Sequence, residues 1–479
     1  MWLVLSTYLA TVLLPSFQPV RAHEHGRPPH WSFCCLALSV ALPGKVSFPS
    51  SPAYTASTSS YWSLQESTIQ PSCILTPLSA LEVATAVKTL SILSHVSGCP
   101  FAIRGGGHTP WAGSANIDGG ITIDMRQINA ITVNSQKTTA SIGAGAIWGE
   151  VYRRMDKMGL AVVGGRGASI GVGGLTTGGG ISYFSARKGF ACDNVLNFEV
   201  VLADGRILAL QGGSNNFGLV TRFDVTAFPQ SLFWGGSILY DDSASPQLLK
   251  GFTELNKDQN FDEFAALIQS HAYVPGRGFV ATANMEYTKQ EANSAAFETF
   301  VQAQPQFANT MRISNLTDFT VEFVSMQPNG LRQMYITITF KNDFAFLTYV
   351  YDTFKKTVST QLSATSSLAM SLTFQPLPPA ITSKSGLKGG NVMGLNPSDG
   401  AQVLFIRSTG KAVHDEMVRE AKARGVWNRW IYLNYADGWQ GPIGSYGEAN
   451  LRFLQEVSRK YDPKGVFQKQ VPGGLKLFK

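Results

Sequence analysis

Charged residues make up only 15% of this 479-residue sequence, against 44% hydrophobic residues. That shortage excludes a disordered chain or a nucleic-acid-wrapping polymer, since low hydrophobicity with high charge is what keeps chains unfolded. The net charge of +7 is spread along the chain with a mild basic excess over 459–479, as on a solvated surface. After the N-terminal segment there is no run of about twenty apolar residues, so a later membrane-spanning helix is not expected. Neither G-x-x-x-x-G-K-[ST] nor a strand followed by G-x-G-x-x-G and a helix occurs, which argues against triphosphate and nicotinamide chemistry. The five cysteines lack the spacing and accompanying histidines of a zinc site, and no internal repeat is present.

An apolar run over 2–14, with Val20-Arg21-Ala22 before His23, has the form of a signal peptide over 1–22. Secretion is therefore expected. Cys34, Cys35, Cys73 and Cys99 fall in the first hundred residues, consistent with one or two disulfides tying down an N-terminal arm, while Cys192 stands apart as a buried structural thiol. Asn315-Leu316-Thr317 is a glycosylation sequon.

Apolar spacing predicts a helix over 78–92, after a Ser/Pro-rich stretch at 47–63. Short β-branched segments then alternate with glycine turns at 101–103, 121–124, 130–133, 139–142, 161–163 and 198–202. Beyond Pro229 the pattern predicts strands at 278–287, 334–340 and 368–374, alternating with helices near 292–303, 343–356 and 411–424. The fold class is α+β, with an antiparallel sheet covered by helices in the second half.

Two glycine-rich segments stand out, Arg104-Gly105-Gly106-Gly107-His108 and Ile170-Gly171-Val172-Gly173-Gly174-Leu175-Thr176-Thr177-Gly178-Gly179-Gly180. Glycine lets main-chain N–H groups approach an anion unobstructed, so the pair points to a large phosphate-bearing cofactor. A single run would mark only a turn. Near the C terminus, Tyr432-Leu433-Asn434-Tyr435-Ala436-Asp437 puts polar groups on both faces of an expected strand, with Tyr432 and Asn434 on one face and Tyr435 on the other. Two tyrosines packed at an interface would give the same pattern.

These segments, together with 42–48, 118–121, 203–205 and 215–218, make the sequence similar to the berberine bridge enzyme-like branch of the secreted FAD-linked oxidoreductases. The flavin domain of that family is of the vanillyl-alcohol oxidase or p-cresol methylhydroxylase (PCMH) type. The resemblance runs from about residue 42 to the end. It implies FAD held by Arg104, Gly105, Gly106, Gly107, Ile170, Gly171, Gly173, Gly174, Gly178 and Gly179, with His108 bonded to the 8α-methyl of the flavin. The cysteine that makes a second link in many relatives falls here on Gly167, so a link through His108 only is expected. Ile170 occupies the position that gates oxygen, which leans toward an oxidase with molecular oxygen as electron acceptor.

The resemblance further implies hydride transfer from a small-molecule substrate, a sugar or secondary metabolite, to flavin N5. Tyr435 is the implied base, with Asn434 orienting the substrate, Tyr432 a second candidate and Gln375 in the pocket lining. An ordinary phenol has a pKa of about 10, so a tyrosine base needs positive or hydrogen-bonding neighbours. The expected organisation is a signal peptide over 1–22, an arm over 23–65, a PCMH-type FAD-binding domain over 66–229, a substrate domain over 230–425, and a C-terminal segment over 426–479 that returns to the FAD domain. A monomer without nucleic-acid or membrane partners is expected. Relatives carry roughly a dozen more residues between Ile207 and Gly212, and a longer excursion across 403–425. These departures keep open the alternative of a flavin-binding relative without turnover; a disulfide-tied binding protein would belong to a third class.

Overall fold

The computed structural model describes residues 30–210, 216–257, 261–362, 369–407 and 410–478. The expected signal peptide and Asn215 lie outside them, as does Leu368 of the strand expected over 368–374. The described strands form three sheets within one compact unit, Trp31–Lys479.

The first sheet contains β1 (Val46–Ser47), β2 (Cys73–Leu75), β3 (Phe101–Arg104) and β4 (Ile121–Asp124) in the order β1-β2-β4-β3. β2, β4 and β3 run parallel, and the first glycine segment leaves the end of β3. Helix Ala80–Ser97 covers this sheet through Val83, Val87 and Leu90. It starts where Ser79 accepts a hydrogen bond from the Glu82 amide, an N-cap worth about 1 kcal/mol. Disulfides Cys35–Cys73 and Cys34–Cys99 tie helix His30–Ala41 to β2 and to the connection before β3, two where one or two were expected.

The second sheet comprises β5 (Ile131–Val133), β6 (Thr139–Gly143), β7 (Leu160–Val162), β8 (Val195–Val201), β9 (Ile207–Leu210) and β10 (Leu219–Pro229), all antiparallel. The third has nine strands: β11 (Phe233–Asp241), β12 (Ala265–Val274), β13 (Gly278–Tyr287), β14 (Gln306–Asn309), β15 (Arg312–Ser314), β16 (Ile336–Lys341), β17 (Met370–Leu377), β18 (Gln402–Arg407) and β19 (Trp427–Asn428). Its period-two pattern sorts two faces. Ala281, Ala283 and Met285 on β13 and Leu372 and Phe374 on β17 join one core with helices Ser245–Leu255, Phe344–Leu362 and Lys411–Ala423. Glu286 on β13 and Gln375 on β17 therefore point to the opposite face.

Three sequence expectations change. The helix expected over 292–303 begins later: Asn293 has a left-handed φ of 57° and Ser294 caps a short turn at Ala295–Phe297, so only Glu298–Gln302 is α-helical. The Ser/Pro-rich stretch contains helix Pro52–Thr58, started by Ser51 as N-cap and Pro52 in the first turn. The segment 432–437 is not a strand but a tight turn, Leu433–Tyr435, because its side chains bond to the second glycine segment instead of a neighbouring strand.

Candidate active site

The two glycine segments cross at Gly106 and Gly171. A Cβ on Gly106 would lie 2.6 Å from Gly171 Cα, and one on Gly171 would lie 2.5 Å from Gly106 N, so neither position admits a side chain. Gly173 packs equally tightly, with a Cβ 2.8 Å from Ala144 O. Gly174 differs: a Cβ there would meet nothing within 4 Å, and one on Gly105 nothing nearer than 3.7 Å. Bare backbone thus faces open space beside the crossing. Gly178 and Gly179 stand under the C-terminal turn, where added Cβ atoms would strike Asn434 Oδ1 and Met393 Sδ respectively.

Arg104 is wholly buried beneath the first loop. Its guanidinium donates to Ser57 O at 2.6 Å and to Ser60 Oγ at 2.9 Å, lies 3.6 Å over the Tyr61 ring, and sits 3.8 Å from Asp124. Burial would raise the Asp124 carboxyl; the adjoining Arg126 and Arg104 hold it below its ordinary value instead. Gly107 closes this cluster, with Tyr61 and Arg104 filling the space a Cβ would need.

His108 stacks on Trp62, with ring centroids 4.3 Å apart and planes within 9°. Burial holds its pKa down to about 4, so the imidazole is neutral at physiological pH. Ser57, Ser60, Tyr61 and Trp62 all come from the stretch taken from sequence as an arm. The serine cap before Pro52 was the available sign of a helix there.

At the other end, Tyr432 is buried, and its hydroxyl oxygen accepts from Gly180 N and from Asn434 Nδ2, both at 3.0 Å. Asn434 also donates to Leu175 O at 3.0 Å. Burial, with Tyr435 beside it, pushes the Tyr432 phenol far up, so it stays protonated. Tyr435 packs edge-to-face on Tyr432 at 4.9 Å and on Tyr335 at 6.1 Å, and Tyr335 lies 5.6 Å from Trp62. An aromatic row therefore connects the His108 loop to the tyrosine turn.

Arg166 was not singled out from sequence. Its Nη2 donates to Tyr435 Oη at 3.0 Å and to Gln375 Oε1 at 2.5 Å, while Gln375 Nε2 approaches Tyr435 Oη at 3.4 Å. The available signal was its isolation, as the one charged residue between Lys157 and Arg187. Ile170 follows within the same loop; its carbonyl accepts from Trp148 N at 3.0 Å. At Gly167, a Cβ would come within 2.9 Å of Val324 Cγ1 and 3.0 Å of Ile170 Cδ1, so a longer side chain there requires both to move.

The sequence matches the family model described as FAD binding domain over residues 71–211. It is 35% identical over 456 residues to an FAD-dependent monooxygenase of Cochliobolus heterostrophus, with 87% of each chain covered. Among solved structures, the chain is similar to BBE-like 1 of Physcomitrella patens, with a TM-score of 0.71, 16% identity, and coverage of 93% of this chain and 99% of that one. It is also similar to glucooligosaccharide oxidase from Acremonium strictum, which carries a 6-S-cysteinyl, 8α-N1-histidyl FAD. There the TM-score is 0.70 and the identity 15%, over 93% of this chain and 99% of that one. The structural likenesses show a shared fold.

Proposed function

We propose, from the premise that this chain belongs to the berberine bridge enzyme-like FAD-linked oxidoreductases, that it is a secreted oxidase whose cofactor is covalently held through His108 alone. The residues fit such a cofactor: Gly174 leaves bare backbone toward open space beside Gly105, suited to a pyrophosphate, and His108 offers a neutral ring nitrogen as nucleophile. FAD, when bound, supplies the two-electron acceptor. Residues 66–229 hold it, 230–425 receive the substrate, and 426–479 return Tyr435 to it.

The observation that carries this reading is the docking of the Tyr432–Tyr435 turn on the same glycine segment that the His108 loop crosses. Cofactor attachment and proton transfer then share one site. Tyr435 Oη takes the proton from a substrate hydroxyl, while the hydrogen on the adjoining carbon would leave with its electron pair to the acceptor that FAD supplies; negative charge on the tyrosine oxygen is met by the Arg166 guanidinium. Asn434 and Tyr432 brace the turn. Gly167 in place of a cysteine supports a single link, and Ile170 supports transfer of the electrons to molecular oxygen. The paired disulfides, and the lack among the described residues of a helix long and apolar enough to cross a membrane, are compatible with secretion.

The test is to denature the purified protein in acid and read flavin retention by intact mass and in-gel fluorescence. One added FAD mass is expected in the native protein and none in His108→Ala. A colourless native protein without added mass sinks the reading.

A further inference from the structure

We infer that Arg166 selects the substrate class: a planar, conjugated ring bearing an ionised oxygen, anchored to the guanidinium beside Tyr435. This rests on the flavin reading above and narrows its substrate.

A buried guanidinium demands compensation, because removing it from water costs several kcal/mol unless a partner charge is close. Arg166 is 7% exposed, and among the described residues no carboxylate lies within 4.0 Å of it. Its two side-chain hydrogen bonds both leave from Nη2, to the Gln375 amide oxygen and the Tyr435 hydroxyl oxygen, so neither reaches a carboxylate. A guanidinium has five N–H donors in a planar fork. Nη1 and Nε thus have no hydrogen-bonded partner among the described residues.

The nearby acid does not fill the gap. Glu286 is fully buried on β13, on the same sheet face as Gln375, and feels Arg166 from beyond ion-pair distance. Burial pushes its carboxyl well up, toward the neutral form. An anionic oxygen arriving with the substrate would complete the fork, as carboxylates and phenolates do for arginine elsewhere. A neutral sugar would bring no anion to Nη1 and Nε.

The flat ring follows from the walls. Tyr335 and Tyr435 are only partly buried and meet edge-to-face, with Trp62 behind Tyr335. Aromatic faces spaced in this way hold planar rings better than saturated ones.

Calorimetric titration of the purified holoenzyme with benzoate, benzamide, cyclohexanecarboxylate and cellobiose separates charge, flatness and sugar character. Benzoate is expected to bind about tenfold or more tightly than benzamide, its neutral isostere, since charged hydrogen bonds carry that much discrimination. It should also bind more tightly than cyclohexanecarboxylate. Arg166→Met should erase the benzoate–benzamide gap while keeping the flavin content, and Arg166→Lys should restore part of it. Equal binding of benzoate and benzamide by yellow native protein overturns this inference alone, as does tighter binding of cellobiose. That comparison needs no variant, so a misfolded Arg166→Met protein does not disable it. A colourless protein overturns the flavin reading and this inference with it.

Discussion

Two buried arginines, sixty-two positions apart, show how the same side chain can hold a fold or equip a site. Arg104 is met by Asp124, two serines and the face of Tyr61. Among the described residues Arg166 is hydrogen-bonded by the Gln375 amide and the Tyr435 hydroxyl, while buried Glu286 lies beyond 4.0 Å and is driven toward neutrality. The first is electrostatically closed and acts as a prop beneath the His108 loop. The second is open in having no carboxylate within 4.0 Å among the described residues, and on the reading proposed above the substrate supplies the anion. Burial alone therefore does not distinguish structural from functional charge; the presence of a counter-charge does.

The largest effect should fall on the closed arginine. Arg104→Met takes away one of the two guanidiniums beside Asp124, Arg126 staying at 2.6 Å, and also the donors to Ser57 O and Ser60 Oγ, a loss of charged hydrogen bonds that should cost about 1.5–3 kcal/mol. Chemical denaturation at neutral pH would show it, and an unchanged midpoint would break the comparison. The pH dependence sharpens it. Asp124 has a folded pKa below its ordinary value, so its stabilising contribution is present above that value and is lost as pH falls through the folded one. The deficit of Arg104→Met should accordingly shrink in acid. Arg166→Met has no paired carboxylate to release and should show no such convergence.

Next in size is the tyrosine turn. Tyr435→Phe removes the oxygen that Arg166 addresses and should lower kcat by about a hundredfold or more, the usual scale for a lost general base. Tyr432→Phe removes acceptors for Gly180 and Asn434 instead, and should cost about 1 kcal/mol of stability with a smaller change in kcat. Equal losses of kcat in the two variants would mean that the open arginine does not mark the reacting end.

The parts legible in sequence were those that depend on backbone. The two glycine segments and His108 announced themselves because a close crossing admits no other residue at Gly106 or Gly171. The antiparallel sheet was legible for a similar reason: β13 matches its expected bounds of 278–287, its alternation being enforced by a core on one face. The tyrosine turn was misread because Tyr-x-Asn-Tyr has strand-like composition, and only Gly180 and Leu175, some 250 positions away, fold it into a turn. Arg166 and Glu286 escaped for the same reason. Their meaning lies in what is, and is not, within 4 Å after three sheets have packed, and no local pattern carries that.

The smallest expected effect tests the neutral side of the open arginine. Gln375 accepts from Arg166 Nη2 at 2.5 Å and turns its amide toward Tyr435 at 3.4 Å, the longer contact being the weaker. If Gln375 only aims the guanidinium, Gln375→Leu should raise KM several-fold for an anionic substrate and leave kcat within about threefold, because Arg166 still reaches Tyr435 directly. Gln375→Glu should do more harm to binding. It would place a carboxylate against Arg166, close the fork from within, and turn the second arginine into a copy of the first. Selective loss of benzoate affinity in the glutamate variant, with the protein at least as stable as the parent, would show that the site depends on that charge being left unmet.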